Sequence, residues 1–434
     1  MRPIMFRIFA LAMLCSTVLG AQDLTGDWQG TLHAGPQVLR NILRIAKGVG
    51  SSWDASLFSI DQGGFDNPLP ASSVTLRDSV LKVTFDQIRG SYEGRISADG
   101  NTLKGTWKQN NGQLPLDFQR ATKETAWRDS SPHSVRLIAV SKDVRLEVLD
   151  FGGSGRPVVL LAGLGGTAHV FDKFAPKLIQ TYHVYAVTRR GFGASAHPTS
   201  GYSADRLGDD VLAVLDSLQL SRPVLVGHSI AGEELSSVGS RHPERVAGLA
   251  YLDAGYPYAY YDAAHGNYSI DLAELVRNLE RLQTAMNSED ARLLARSLRE
   301  TDLPAFEKSL NDFERALPAA SGKSISAPPQ ELPSPAQAIM MGEQKYTTIH
   351  GPILAIFALP HRMPPAMAND SSARASFLAA DSTARIQAEA FQRGNPAARV
   401  VRVPNADHNV FISNEADVLR ELRAFIDGLP RDRQ

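Results

Sequence analysis

Ser229 lies in the run Pro223-Val-Leu-Val-Gly-His-Ser-Ile-Ala-Gly232, and its surroundings are those a nucleophilic hydroxyl needs. Val224, Leu225 and Val226 form a short apolar run of the kind that makes a buried parallel strand. Gly227 ends the run, and Leu235 and Val238 then recur at helical spacing. The pattern predicts a strand that turns abruptly into a helix with the serine at its apex. A serine hydroxyl is a weak nucleophile unless it projects into a cleft beside a base. The amide of the next residue, Ile230, can then help hold an oxyanion. Small residues are needed where the helix passes the strand, and Gly227, Ala231 and Gly232 supply them. A strand end with an ordinary surface serine would show the same short motif, so the choice rests on the rest of the chain.

Two further residue types complete the chemistry. His408 falls in Pro404-Asn-Ala-Asp-His408, between an apolar strand at Arg399 to Val403 and a closing helix through Leu419, Leu422 and Phe425. Asp253 directly follows another apolar run, Val246 to Leu252. A nucleophilic serine needs a base to take its proton and a carboxylate to orient that base, and residues of these types are candidates for the two. Asp253 could instead cap the following segment, and Asp370 is the other candidate carboxylate. His228 is expected to pack behind the nucleophile. Glu233 and Glu234 lie on the helix after the serine, where a solvated face accounts for at least one of them.

With these flanks the chain resembles the α/β-hydrolase family, in which the serine sits on a nucleophile elbow and the order is nucleophile, acid, base. A leading hairpin (Val135 to Val140, Val144 to Leu149) precedes a strand, Pro157 to Leu161, that runs into Ala162-Gly-Leu-Gly-Gly166. The strand His183 to Val187 then leads into Thr188-Arg-Arg-Gly-Phe-Gly-Ala-Ser195 and a helix over Ala204 to Leu218. The resemblance covers Val135 to the C-terminus. It implies a doubly wound, mostly parallel sheet, with the N–H of Leu164 as second oxyanion donor beside that of Ile230, and structural roles for Arg189 and Arg190. It places the base at His408. It places the acid most often after the strand Pro352 to Ala358, but the loop from Leu359 to Pro365 has no carboxylate before Asp370, which leaves Asp253, at the preceding strand end, as the expected acid.

Apolar positions at helical spacing (Leu272, Leu275, Val276, Leu279; Leu303, Phe306, Leu310, Phe313) predict an inserted helical cap over residues 256–350. The tyrosines at 256 to 261 either line its entrance or lie on the surface, and Ser321 to Pro335 reads as an irregular loop. The family resemblance implies hydrolysis of a carboxylic ester through an acyl-enzyme, with no metal or organic cofactor. Epoxide hydrolases and haloalkane dehalogenases of this fold carry aspartate at the elbow, so serine at 229 argues against both. The rivals are an aminopeptidase or amidase of the same fold and a non-catalytic binding protein. An intact Ser/Asp/His set argues against the latter.

Composition sets the outer bounds. The 434 residues carry 46 acidic and 45 basic side chains with no long basic run, so nothing in the composition points to nucleic acid or to an electrostatically bound membrane surface, and a small or neutral substrate fits better. Arg2 and Arg7 precede a mostly apolar stretch from Ile8 to Leu19, and Val18 and Gly20 fit a cleavage site. Residues 1–20 therefore read as a signal peptide, its apolar run too short for a comfortable membrane span, with Ala21 as the mature start and a periplasmic or secreted product; an uncleaved anchor is the alternative. Cys15, the sole cysteine, lies within it, so the processed chain would have neither disulfide nor thiolate. Residues 21–122 show short strands separated by Gly, Asp, Asn and Pro, which predicts a small antiparallel barrel or sandwich with a structural role. A polar linker then leads into the hydrolase-like region, residues 123–434.

Overall fold

The computed structural model describes residues 23–430 apart from 35–36, 49–51, 64–67, 110–111, 128–131, 286, 317–332, 365–366 and 368. The expected leader and most of the expected loop at 321–335 lie outside the described residues. The chain divides into two compact units, Met1–Ile60 with Pro68–Arg128, and Asp61–Asn67 with Asp129–Gln434.

The first unit is a ten-stranded antiparallel sheet. Its strands are β1 (Gly26–Ala34), β2 (Gln37–Lys47), β3 (Trp53–Ser59), β4 (Leu69–Pro70), β5 (Ser73–Arg77), β6 (Val80–Phe85), β7 (Gly90–Ile96), β8 (Thr102–Gln109), β9 (Gly112–Pro115) and β10 (Phe118–Arg120). Side chains alternate along them, so that Tyr92 and Ile96 of β7 point inward while Glu93 and Arg95 face solvent. The inward set, including Trp28, Leu43, Leu81, Phe85, Tyr92, Trp107 and Phe118, forms one core inside one coiled sheet. That is the barrel alternative rather than two facing sheets. The order runs β4-β3-β2-β1-β10-β8-β7-β6-β5. Its ends are joined, because Ala71 N donates to Ala55 O of β3 (2.9 Å) and Ser72 N to Thr84 O of β6 (2.8 Å).

The second unit is built on an eight-stranded sheet in the order β11-β12-β14-β13-β15-β16-β17-β18. These are β11 (Ser134–Ser141), β12 (Val144–Gly152), β13 (Pro157–Leu161), β14 (His183–Val187), β15 (Val224–His228), β16 (Gly248–Leu252), β17 (Ile353–Phe357) and β18 (Arg399–Arg402). The hairpin β11–β12 pairs antiparallel, and β13 to β18 run parallel. Continuous apolar runs follow from this, because both faces of the central strands are covered. One face packs Leu160, Val226, Leu252 and Ile356 against Phe171, Phe411 and Leu422. The other packs Val159, Leu225, Tyr251 and Phe357 against Val211, Leu215, Leu235 and Phe391.

Register decides where the chemistry-bearing residues meet. His228 pairs with Leu252, Leu252 with Ile356, and Phe357 with Arg402. Strands β15 to β18 therefore end level, and the residues just beyond them share one edge of the sheet, where ligands bind in open α/β folds. Between β16 and β17 the chain forms the helices Tyr268–Thr284, Ser288–Ser297, Leu303–Ala316 and Pro335–Met341. No helix among the described residues is long and apolar enough to cross a membrane.

Candidate active site

Ser229 follows β15 and precedes the helix Ala231–Arg241, with φ at +54°. A non-glycine residue held there costs about 1–3 kcal/mol, and such strain persists only where packing over-determines it. The packing is present. A Cβ on Gly163 would stand 2.8 Å from His228 Nδ1 and 3.2 Å from Ser229 Cβ, so only glycine lets the neighbouring loop come this close. Ser229 N also donates to Leu252 O (3.2 Å), which fastens the turn to β16.

The structure brings the three sequence-predicted residues into one hydrogen-bonded line. His408 Nε2 lies 2.8 Å from Ser229 Oγ, and His408 Nδ1 lies 2.7 Å from Asp253 Oδ2. Asp253 is fully buried and, like the serine, has positive φ (+46°). Its other oxygen accepts from Tyr256 OH (2.6 Å) and Ala358 N (3.0 Å). Burial pushes this carboxyl up, but hydrogen bonds from His361 and His408 outweigh it and hold Asp253 below the usual carboxylate range. A carboxylate that stays ionised, behind an imidazole in contact with a hydroxyl, can support proton transfer from that hydroxyl. Asp370 is elsewhere. It caps the helix Ser371–Gly394, accepting from Ser372 N (2.9 Å) and Ala373 N (3.0 Å).

One residue, His361, joins this line without having been singled out in the sequence. His361 Nε2 reaches Asp253 Oδ2 (3.1 Å), while its Nδ1 and backbone N both meet Asp381 Oδ1 (2.8 Å each). His361 is placed by a bridge to Ala406, two residues before His408, so the loops after β17 and β18 are locked together. The only visible signal was a histidine at the strand end where a carboxylate was sought. His228 is buried as expected; its Nε2 meets His408 O (3.0 Å), and burial together with His408 pushes it down to about 4, which keeps it neutral. Tyr256 and Tyr258 belong to the site rather than to an entrance. Tyr256 holds Asp253, and burial together with Asp253 raises the pKa of the Tyr258 hydroxyl.

The expected oxyanion donors flank the serine. Among the described residues, the Leu164 and Ile230 amides have no hydrogen-bond partner within the chain. Leu164 sits in a turn closed by Gly166 N to Gly163 O (3.1 Å), with Gly165 at φ +76°. Arg189 anchors that turn, donating to Ala162 O (3.0 Å) and, with two nitrogens, to Glu234 (2.8 and 2.6 Å). The buried Arg189–Glu234 pair thereby ties the turn to the nucleophile helix. Arg190 is a second buried bidentate pair, with Asp210 (2.6 Å twice). A solvated helix face for Glu233 or Glu234 is thus incorrect, because both are buried. The helix is covered nearly all round from Ala231 to Gly239, so the position of a polar residue along it carries no information about exposure.

Comparison with known proteins gives these features a lineage. Epoxide hydrolase A of Mycobacterium tuberculosis is 36% identical over 113 residues, which is 25% of this chain and 35% of that protein. The 3-oxoadipate enol-lactonase 2 of Acinetobacter baylyi is 32% identical over 106 residues, 24% of this chain and 40% of that protein. The matches thus span well under half the length of these relatives. A bromoperoxidase structure from Bacillus anthracis aligns over 68% of this chain and 100% of its own, at 17% identity and a TM-score of 0.41. A family model described as the alpha/beta hydrolase family matches residues 158–421, from β13 into the closing helix Glu415–Gly428. That is more than half of the chain, and the protein belongs to the alpha/beta hydrolase family.

Proposed function

We propose that this hydrolase is an exported serine esterase that cleaves a small, uncharged carboxylic ester through an acyl-enzyme on Ser229. The observation that carries the reading is the line Ser229 Oγ–His408 Nε2 (2.8 Å), His408 Nδ1–Asp253 Oδ2 (2.7 Å). His408 takes the hydroxyl proton as Ser229 attacks the carbonyl, and the Leu164 and Ile230 amides receive the oxyanion. His408 then protonates the leaving alcohol, and water, activated by the same imidazole, releases the acid. Asp253 stays ionised throughout and steadies the imidazolium. No metal or organic cofactor enters this sequence of steps. An apolar group formed by Tyr202, Leu207, Ile230 and Ile339, with Phe192 and Tyr258 against it, packs beside the residue that follows the serine. Export rests on the basic and apolar pattern of residues 1–20.

Steady-state hydrolysis of p-nitrophenyl esters, alongside the matching amides, tests the reading. Ser229→Ala and His408→Ala are each expected to lose several powers of ten in kcat while remaining folded. Equal turnover by Ser229→Ala would place the chemistry elsewhere, and amides cleaved faster than esters would move the assignment to an amidase.

A further inference from the structure

We propose that His133, His169 and Asp172 form a binding site for one divalent transition-metal ion of the zinc type, separate from the Ser229 site. His133 immediately precedes β11, and His169 and Asp172 lie on and just after the single turn Ala168–Phe171 that follows the Gly163–Gly166 loop. The two imidazoles are buried, with side-chain exposures of 1% and 5%, whereas Asp172 keeps 27% and opens a path to solvent.

Asp172 offers one oxygen to each ring, Oδ1 at 3.0 Å from His133 Nδ1 and Oδ2 at 3.5 Å from His169 Nδ1. Neither approach has hydrogen-bond geometry. His133 Nδ1 and Nε2, His169 Nδ1 and Asp172 Oδ1 are all buried without a hydrogen-bond partner. Leaving a buried polar atom unpaired costs about 1–3 kcal/mol, and four in one cluster is a concentration that native interiors avoid. Donor atoms that lie close together but do not point along one another are arranged as ligands of a common centre. The ligand atoms of the three residues all lie within 4.8 Å of each other. Bonds of roughly 2.0–2.1 Å in a tetrahedron separate ligand atoms by about 3.3 Å, so small side-chain rotations close the set.

The surroundings fit the same reading. His169 Nε2 is 3.2 Å from Glu147 Oε1, and the other Glu147 oxygen accepts from Thr188 Oγ1 (2.5 Å). A buried carboxylate behind a histidine fixes the tautomer and leaves the opposite nitrogen, here Nδ1, free to bind a metal. Two carboxylates beside two imidazoles favour a cation. Two nitrogens and one oxygen suit zinc and its neighbours rather than calcium or magnesium, and a water would complete the coordination. The other His/Asp group, Asp253 with His361 and His408, differs in kind: each of its ring nitrogens already has a hydrogen-bond partner.

The test uses the tag-free full-length protein after chelator treatment and dialysis, titrated with Zn2+ by calorimetry and with Co2+ by visible absorption. The expected result is one equivalent of Zn2+ at micromolar concentration or tighter, a Co2+ spectrum of four-coordinate intensity, and a raised unfolding temperature. His133→Ala and His169→Ala should weaken binding by at least roughly tenfold, and His408→Ala should leave it unchanged. Asp172→Asn, on a partly exposed side chain, supplies the same readout if a histidine variant fails to fold. Absence of Zn2+ binding by the wild type would overturn the proposal. So would binding that survives all three substitutions at the cluster, or that is lost only with His408→Ala.

Discussion

His361 and His408 bond the same oxygen of Asp253, at 3.1 and 2.7 Å, so the carboxylate that orients the candidate base is itself oriented by a second imidazole. The Asp253 hydrogen bond is the main cause that raises the His361 pKa above its ordinary value; burial works against it, and Asp381 adds to the rise. His361→Asn removes a hydrogen bond to a charged group, an interaction worth about 1.5–3 kcal/mol, and should lower kcat by about tenfold or more with little change in KM. Loss of a cationic neighbour also eases protonation at the site, so the acid limb of kcat/KM should move to higher pH. A turnover loss with an unmoved limb would make His361 merely structural.

Asp253 and Asp370 are separated by their surroundings, one fully buried under His408 and the other exposed at a helix start. Asp253→Asn should lower kcat by about three to four powers of ten, because an amide favours the wrong imidazole tautomer. Asp370→Asn keeps an equally good cap and should change neither kcat nor the melting temperature measurably. An active Asp253→Asn enzyme beside an inactive Asp370→Asn enzyme would exchange the two assignments.

Much of this was legible because each of Ser229, Asp253 and His408 follows an apolar strand, and the register of the parallel strands brings their ends level. Local pattern therefore carried the site. What was not legible depends on partners distant in sequence. His361 reads as a loop histidine until the bridge to Ala406 and the approach of Asp381 give it a place. Glu234 reads as a solvated helix residue until Arg189 arrives from the turn after β14. The barrel followed from even strand spacing, yet choosing it over a sandwich required the two amides at Ala71 and Ser72 that join its ends.

The Arg189–Glu234 pair makes its own prediction. Both side chains are buried, so Arg189→Met strands a carboxylate in the interior and should cost about 3–5 kcal/mol in urea unfolding. Adding Glu234→Leu should recover most of that stability, since an apolar pair replaces the ionic one. A double variant no more stable than the single one would mean that Arg189 acts chiefly through its bonds to Ala162 and Gly163.

Burial pushes the Glu343 carboxyl up to about 7 from an ordinary value of 4.5. The folded state then holds a proton that the unfolded state has lost, so stability falls as pH rises from about 5 to 7 and levels off above that. Glu343→Gln removes this dependence. Its advantage over the wild type in urea should be near zero at pH 4.5 and approach roughly 3 kcal/mol above pH 7, at 1.36 kcal/mol per unit. A constant difference across that range would show that Glu343 ionises normally.

The central claim is that Ser229 is the nucleophile, and covalent labelling reads it without knowledge of the substrate. The purified protein is treated with a fluorophosphonate, digested, and the modified peptide mapped by mass spectrometry. The expected product carries a single phosphonylated residue, Ser229, with labelling abolished in Ser229→Ala and slowed by several powers of ten in His408→Ala. Modification of another residue, or undiminished labelling of folded Ser229→Ala, would contradict it.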